Sequence, residues 1–160
     1  MNIIFKEVDI NEIRDVINES DEGHYFLPHK EEPDFKASEL FSYFIQTFGT
    51  VNLFSCLIDN NITGFVSILP SDEVGVMSIG PMFISPKYQG LGLGKLQVEK
   101  VMEWAKDKSL KKLYTKTWGQ NLRSRHIFES LNFTLQEVVM DQRINGDSSV
   151  KYEYFIRYDE

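Results

Sequence analysis

The sequence predicts an α/β (α+β) fold, a mixed and mostly antiparallel sheet of about seven strands flanked by about four helices. Three observations predict it. β-prone runs separated by turn residues fill Val51 to Ile84, two segments of helical apolar spacing follow on either side of a short strand, and two more strands close the chain. At 160 residues the chain can bury a core without disulfides or metals, so 1–160 reads as a single domain.

At the front, Ile3 to Val8 reads as a strand, Asn11 to Asn18 as a short helix and Ala37 to Phe48 as another. Val51 to Ile58 and Ile62 to Leu69 are apolar runs around Asp59-Asn60-Asn61, which predicts an antiparallel hairpin. A third strand, Val74 to Ile84, follows the turn Pro70-Ser71-Asp72-Glu73 and ends where Pro86 restricts Ser85 to extended backbone. From Leu91 to Lys108, Val98, Val101, Met102 and Ala105 recur at helical spacing, with Glu99, Lys100, Glu103 and Lys106 off that stripe. Leu113 to Trp118 reads as a strand. Asn121 then caps a helix whose Ser124, Ile127, Phe128 and Leu131 fall at i, i+3, i+4 and i+7, and Asn132 stops it by turning left-handed. Phe133 to Met140 and Val150 to Tyr158 form the last strands, joined around Asn145-Gly146-Asp147.

Composition excludes several classes. Hydrophobic content of 42% and charged content of 26% are ordinary for a water-soluble chain, and no run reaches the roughly 18 apolar residues a membrane span needs. The stretch from Met1 to Glu7 lacks the basic and apolar regions of a secretory signal, so a cytoplasmic location is expected. Cys56, the single cysteine, falls in an apolar run and reads as an inert buried thiol; no multi-cysteine metal site can form. A net charge of -7 argues against nucleic acid as a partner. Lys106, Lys108, Lys111 and Lys112 read as a solvated helix end.

The chemistry-bearing stretch is Ser85-Pro86-Lys87-Tyr88-Gln89-Gly90-Leu91-Gly92-Leu93-Gly94-Lys95, between a strand end and the longest helix. Glycines at alternate positions allow positive φ and close approach, and free N–H groups at a helix start attract an anion. A pyrophosphate fits, even on an acidic protein, because the attraction is local. The Walker spacing G-x-x-x-x-G-K-S/T fails: the position five before Gly94 is Gln89, and Leu96 follows Lys95. The dinucleotide spacing G-x-G-x-x-G fails as well, since the glycines run 90, 92, 94 after an antiparallel meander.

Gln89-Gly90-Leu91-Gly92-Leu93-Gly94 resembles the signature Gln/Arg-x-x-Gly-x-Gly/Ala of the GCN5-related N-acetyltransferase (GNAT) family. Asn121-Leu122-Arg123-Ser124-Arg125-His126-Ile127-Phe128-Glu129-Ser130-Leu131-Asn132-Phe133 is similar to that family's second motif, N-x-x-A-R-x-L-Y-E-K-x-G-F. The close resemblance covers Val74 to Phe133. It implies a GNAT-like fold and transfer of an acetyl group from acetyl-CoA to a primary amine of a small molecule or peptide. It further implies that main-chain groups of Met82 and Ile84 pair with the pantetheine arm, beside a bulge or splay at Pro81. Main-chain N–H groups from Gln89 through Gly90, Leu91, Gly92, Leu93 and Gly94 to Lys95 would hold the pyrophosphate, Asn121 would touch the pantetheine, and Arg125 would reach the adenosine phosphate. A strand N–H near Phe83 would stabilise the oxyanion. Pairing into homodimers is frequent among similar proteins.

The pattern departs from the family twice. The glutamate that serves many relatives as base is Ser78 here, and the tyrosine acid is Phe128, a further contact of the cofactor site. An alkylamine of pKa near 10.4 must lose its proton, at a cost of about 4.6 kcal/mol at pH 7. No base is assigned; Asp72 and Glu73 occupy a turn, with His24, His29, Glu31 and Glu32 as looser candidates. His126 lies about 200° of helix rotation from Phe128 and reads as a surface residue. Ser20 to Phe35 is where the family's order of elements places part of the acceptor pocket, and its acidity points to a cationic amine or to a plain polar loop. The two departures also leave open an acyl-CoA-binding sensor or interaction domain with little catalysis.

Overall fold

Turn chemistry sets the middle of the sheet. Strand β2 (Asn52–Ile58) turns through Asp59 (φ 49°) and Asn60 (φ 69°), residue types that tolerate left-handed backbone, into the short β3 (Asn61–Ile62) and then β4 (Gly64–Pro70). The expected hairpin strand is therefore split at Thr63, which supplies the eighth strand where about seven were expected. β5 (Val76–Ile84) starts after Gly75, whose φ of 79° and whose carbonyl, accepting the N–H groups of Lys111 and Lys112, exclude Val74 from the strand.

The computed structural model describes residues 2–158. Met1, at the head of the N-terminal stretch, and residues 159–160 of the expected 1–160 domain lie outside them. The remaining elements are β1 (Ile3–Val8), α1 (Arg14–Glu22), α2 (Ala37–Phe48), α3 (Leu93–Asp107), β6 (Lys112–Trp118), α4 (Leu122–Ser130), β7 (Thr134–Val139) and β8 (Ser149–Phe155). The helix expected over Asn11 to Asn18 is displaced: Asp9 and Glu12 bond reciprocally, Ile13 N–H donates to Ile10 in a tight turn, and regular helix begins at Arg14. Lys112 corrects the reading of a solvated lysine cluster, because it lies on β6 and pairs with the buried Glu153 at 3.0 Å.

The sheet order is β1-β2-β4-β5-β6-β8-β7, antiparallel except for the β5–β6 pair, with β3 against β2. Alternation along the strands feeds two cores. Phe54, Val66, Ile79 and Leu113 face α3 and α4, packing on Val98, Val101 and Phe128. Leu53, Phe65 and Phe83 face α1 and α2, packing on Ile13, Ile17 and Phe41. Among the described residues, no helix is long and apolar enough to cross a membrane.

Candidate active site

A single bulge makes the site. Between the pairs Val66↔Met82 and Ile68↔Ile79, only Ser67 of β4 faces both Gly80 and Pro81 of β5. Pro81 has no N–H for a ladder, and its carbonyl accepts the Ser67 hydroxyl at 2.8 Å. β5 pairs with β6 from Val76 to Ile79 and no further, so the two strands separate beyond Ile79↔Thr115. Ser85 N–H donates to Thr63 O at 2.8 Å, which fixes the alternation: the main-chain groups of residues 81, 83 and 85 face β4, while those of Met82 and Ile84 face the gap.

The gap opens into a cleft of about 960 Å³. Its floor includes Ser78, Met82, Phe83 and Ile84 of β5 and Tyr114 to Trp118 of β6. One end is bounded by Gly90, Gly92, Leu93, Gly94 and Lys95, the other by Tyr25, Pro28, His29 and Arg143. At the glycine end, α3 is preceded by Gly92 (φ 79°) as a cap residue with no side-chain cap, and Leu96 N–H is the first of the helix to reach a carbonyl, that of Gly92. Among the described residues, no acceptor meets the main-chain N–H groups of Gly90 to Lys95. A Cβ on Gly90 or Gly92 would touch nothing within 4 Å, so open space adjoins these two residues where they line the cleft. Gly94 differs: its Cβ would meet Ile127 Cδ1 at 3.2 Å, so it serves the contact of α3 with α4.

The sequence model of the acetyltransferase (GNAT) family matches residues 11–133, which span both the bulged strand and the glycine turn. The chain belongs to the acetyltransferase (GNAT) family. It is an acetyl-CoA-dependent N-acetyltransferase, and acetyl-CoA is its acyl donor. Solved structures with a similar fold include an N-acetyltransferase from Staphylococcus aureus, at 11% identity and TM-score 0.79, covering 98% of this chain and 100% of that one. YncA from Salmonella typhimurium, determined with its cofactor acetyl-CoA, has 13% identity and TM-score 0.78 over 98% of this chain and 95% of that one. A GNAT-family acetyltransferase from Streptococcus pneumoniae has 14% identity and TM-score 0.75, over 98% and 100%. No curated protein sequence matches the chain.

Within this GNAT frame, three expected positions need correction. Gln89 N–H donates to Pro86 O at 3.2 Å, so the free donors begin at Gly90. The Gln89 side chain instead ties elements together, its amide donating to Ile84 O at 3.0 Å and its oxygen accepting from Arg123 at 2.9 Å. Arg125 is absent from the cleft lining. Its guanidinium donates to the Tyr152 hydroxyl at 2.8 Å and to Gly119 O at 2.9 Å, because the α4 helix turns it toward β8. The Phe83 N–H faces β4 by the strand alternation, leaving the neighbouring Met82 and Ile84 as the donors directed into the gap. Leu91 is exposed and outside the lining.

Asn121 and Phe128 do line the cleft. Asn121 caps α4 by accepting from Ser124 N–H and donates to Thr117 at 2.8 Å. Phe128 is buried against Phe133 and Tyr152. Of the candidate bases, Glu73 pairs with Lys111 outside the cleft, while His29 and Glu32 line it. Burial, then the nearby Arg143, hold the His29 pKa below its usual value. Cys56 is fully buried, and burial pushes its thiol up to about 11, matching the inert reading. Sequence reasoning missed Arg143, Lys116 and Gln97. Arg143 and Lys116 are isolated basic residues with no motif around them, whereas Gln97 breaks the apolar stripe of α3, a signal that a buried polar contact exists. Gln97 is fully buried, donates to Phe65 O at 3.3 Å, and leaves its Oε1 without a partner at the cleft wall.

Proposed function

We propose that this cleft transfers the acetyl group of acetyl-CoA to a primary amine of a small molecule or peptide by direct attack. The observation that carries the reading is the Pro81 bulge opposite the open run of N–H groups from Gly90 to Lys95. Acetyl-CoA supplies an activated thioester carbonyl. The residues fit it: Gly90 to Lys95 offer donors for the pyrophosphate, and Met82 and Ile84 offer strand groups for the pantetheine amides. Asn121 and Phe128 flank that path. Met82 N–H, next to the bulge, is the donor for charge developing on the carbonyl oxygen.

His29 accepts the amine proton in this reading, since burial and Arg143 keep the imidazole neutral. With Phe128 at the usual acid position, the departing thiolate takes its proton from water, which a thiol pKa near 8.5 tolerates. The buried free thiol supports a cytoplasmic location. The exposed Leu135 and Val138 of the edge strand β7 support a homodimer through that edge, testable by light scattering.

The alternative, an acyl-CoA sensor with little catalysis, is favoured by Ser78 and Phe128 at the usual base and acid positions. Calorimetric titration with acetyl-CoA followed by an amine panel read as thiol release separates the two. Binding with release supports the enzyme, binding without release on any amine supports the sensor, and no binding removes both.

A further inference from the structure

The acceptor end of the cleft is stitched from two distant loops. Ile144 N–H donates to Pro28 O at 3.0 Å, Lys30 N–H donates to Gln142 O at 2.9 Å, and His29 bridges to Arg143. Arg143 is only 7% exposed, yet it lines the cleft. Its Nε donates to Ser149 Oγ at 2.8 Å and one terminal nitrogen donates to Leu27 O at 2.6 Å. All of these acceptors are neutral. Among the described residues no carboxylate lies within 4.0 Å of the guanidinium. Asp147, the acid whose charge it feels, already accepts from Gln120 N–H at 2.9 Å and Ser148 N–H at 2.7 Å. A buried cation with neutral partners and a free terminal nitrogen is unusual, because buried charges are normally paired.

Of the acids in Ser20 to Phe35 expected to attract a cationic acceptor, Asp21 is engaged elsewhere, as is its neighbour Glu19. Asp21 accepts from Ala37 N–H at 2.8 Å and Ser38 N–H at 3.2 Å at the start of α2, and Glu19 accepts from the Ser85 hydroxyl at 2.5 Å. Glu32 is the acid that lines this end, against Arg143 and Lys116.

We infer that Arg143 anchors a carboxylate carried by the amine acceptor, so that the substrate is of the amino-acid class. The inference rests on the proposed reading of this end of the cleft as the acceptor site. A guanidinium fork held by Ser149 and Leu27 is pre-oriented, and its remaining N–H groups match a carboxylate in one plane. The amine of the same molecule then extends toward the Pro81 bulge, where His29 borders the path.

The test compares L-amino acids with their primary amides and their decarboxylated amines as acceptors, by thiol release. In parallel, calorimetry with CoA present compares N-acetyl amino acids with the matching N-acetyl amides, which needs no turnover. The carboxylate form is expected to be preferred on the order of 100-fold in both assays. Arg143→Gln should bring that preference to within about threefold while leaving the acetyl-CoA Kd unchanged, and Arg143→Lys should retain part of it. Equal treatment of carboxylate and amide by the wild type overturns the inference. So does a loss in Arg143→Gln that falls equally on both forms, which would make Arg143 a loop clamp only. If Arg143→Gln fails to fold, the wild-type comparison and Arg143→Lys decide. Failure to bind acetyl-CoA at all would instead remove the reading of the cleft on which the inference rests.

Discussion

Two glycines two residues apart in one motif are expected to respond oppositely to the same substitution. Gly92 holds φ 79° at the start of α3, and its Cβ would meet no atom within 4 Å, so Gly92→Ala introduces backbone strain without a clash. Left-handed backbone costs an alanine about 1–2 kcal/mol, offset by about 0.4–1 kcal/mol from a stiffer unfolded chain, for a net loss of about 1 kcal/mol. In a domain of this size that lowers Tm by about 2–4 °C. Gly94 is already helical, and its Cβ would press on Ile127 Cδ1 at 3.2 Å, the far end of a flexible side chain. Helix propensity returns up to about 1 kcal/mol against a few tenths lost to crowding, so Gly94→Ala should leave Tm unchanged or raise it by about 2 °C.

The same geometry separates their effects on the cofactor. A Gly92 Cβ would stand in open space on the turn that carries the N–H run and lines the cleft, whereas the Gly94 Cβ points at α4. Acetyl-CoA affinity should fall on the order of tenfold or more in Gly92→Ala, about 1.4 kcal/mol, and stay within about threefold in Gly94→Ala. Differential scanning calorimetry and isothermal titration on the two variants measure both quantities. Equal losses of Tm in the two proteins, or unaltered acetyl-CoA binding in Gly92→Ala, would refute the division of labour argued for these glycines.

Other predictions are simpler. Phe128→Tyr puts a hydroxyl at the cleft wall, and turnover should rise, up to about 10²-fold if proton delivery to the thiolate limits the rate; an unchanged or lower kcat with intact acetyl-CoA binding counts against that role. Cys56, with its thiol pushed up to about 11, should resist a disulfide reagent in the folded protein and react once urea unfolds it; rapid labelling of the native state would contradict its burial. The His29 pKa is lowered in the folded state, so below its ordinary 6.5 the unfolded chain binds the proton more readily. The His29 contribution to stability is therefore whole above pH 6.5 and lost as pH falls from there through the folded pKa. Urea melts at pH 7 and pH 5 should show a smaller pH effect in His29→Gln than in the wild type, and identical slopes would rule this out.

Much of the fold was legible because periodicity and turn residues are local signals. Asn132 adopts φ 69° at the end of α4, and Asp59-Asn60 form the hairpin turn, each for reasons contained in a few neighbouring residues. The bulge at Pro81 was legible too, since a proline cannot donate to a ladder wherever it lies. What misled was also local in form but decided at a distance. The arginine of the second motif was expected at the cofactor, yet Tyr152 and the Gly119 carbonyl, brought beside α4 by β8, hold its guanidinium.

The sequence by itself determined the order of the elements, the glycine turn that starts α3, the inert buried thiol and the family resemblance, because each follows from the chemistry of adjacent residues. Gln89 N–H is consumed within its own turn by Pro86 O, and only the tertiary structure decided that the donors of Gly90 to Lys95 stay free beside a cleft. It also decided the character of the acceptor end. Leu27 and Arg143 are 116 positions apart, and their hydrogen bond sets a buried cation beside a segment whose Asp21 is turned to capping α2. Charge counted along a chain cannot reveal this, because hydrogen bonding and burial determine which charges a ligand meets.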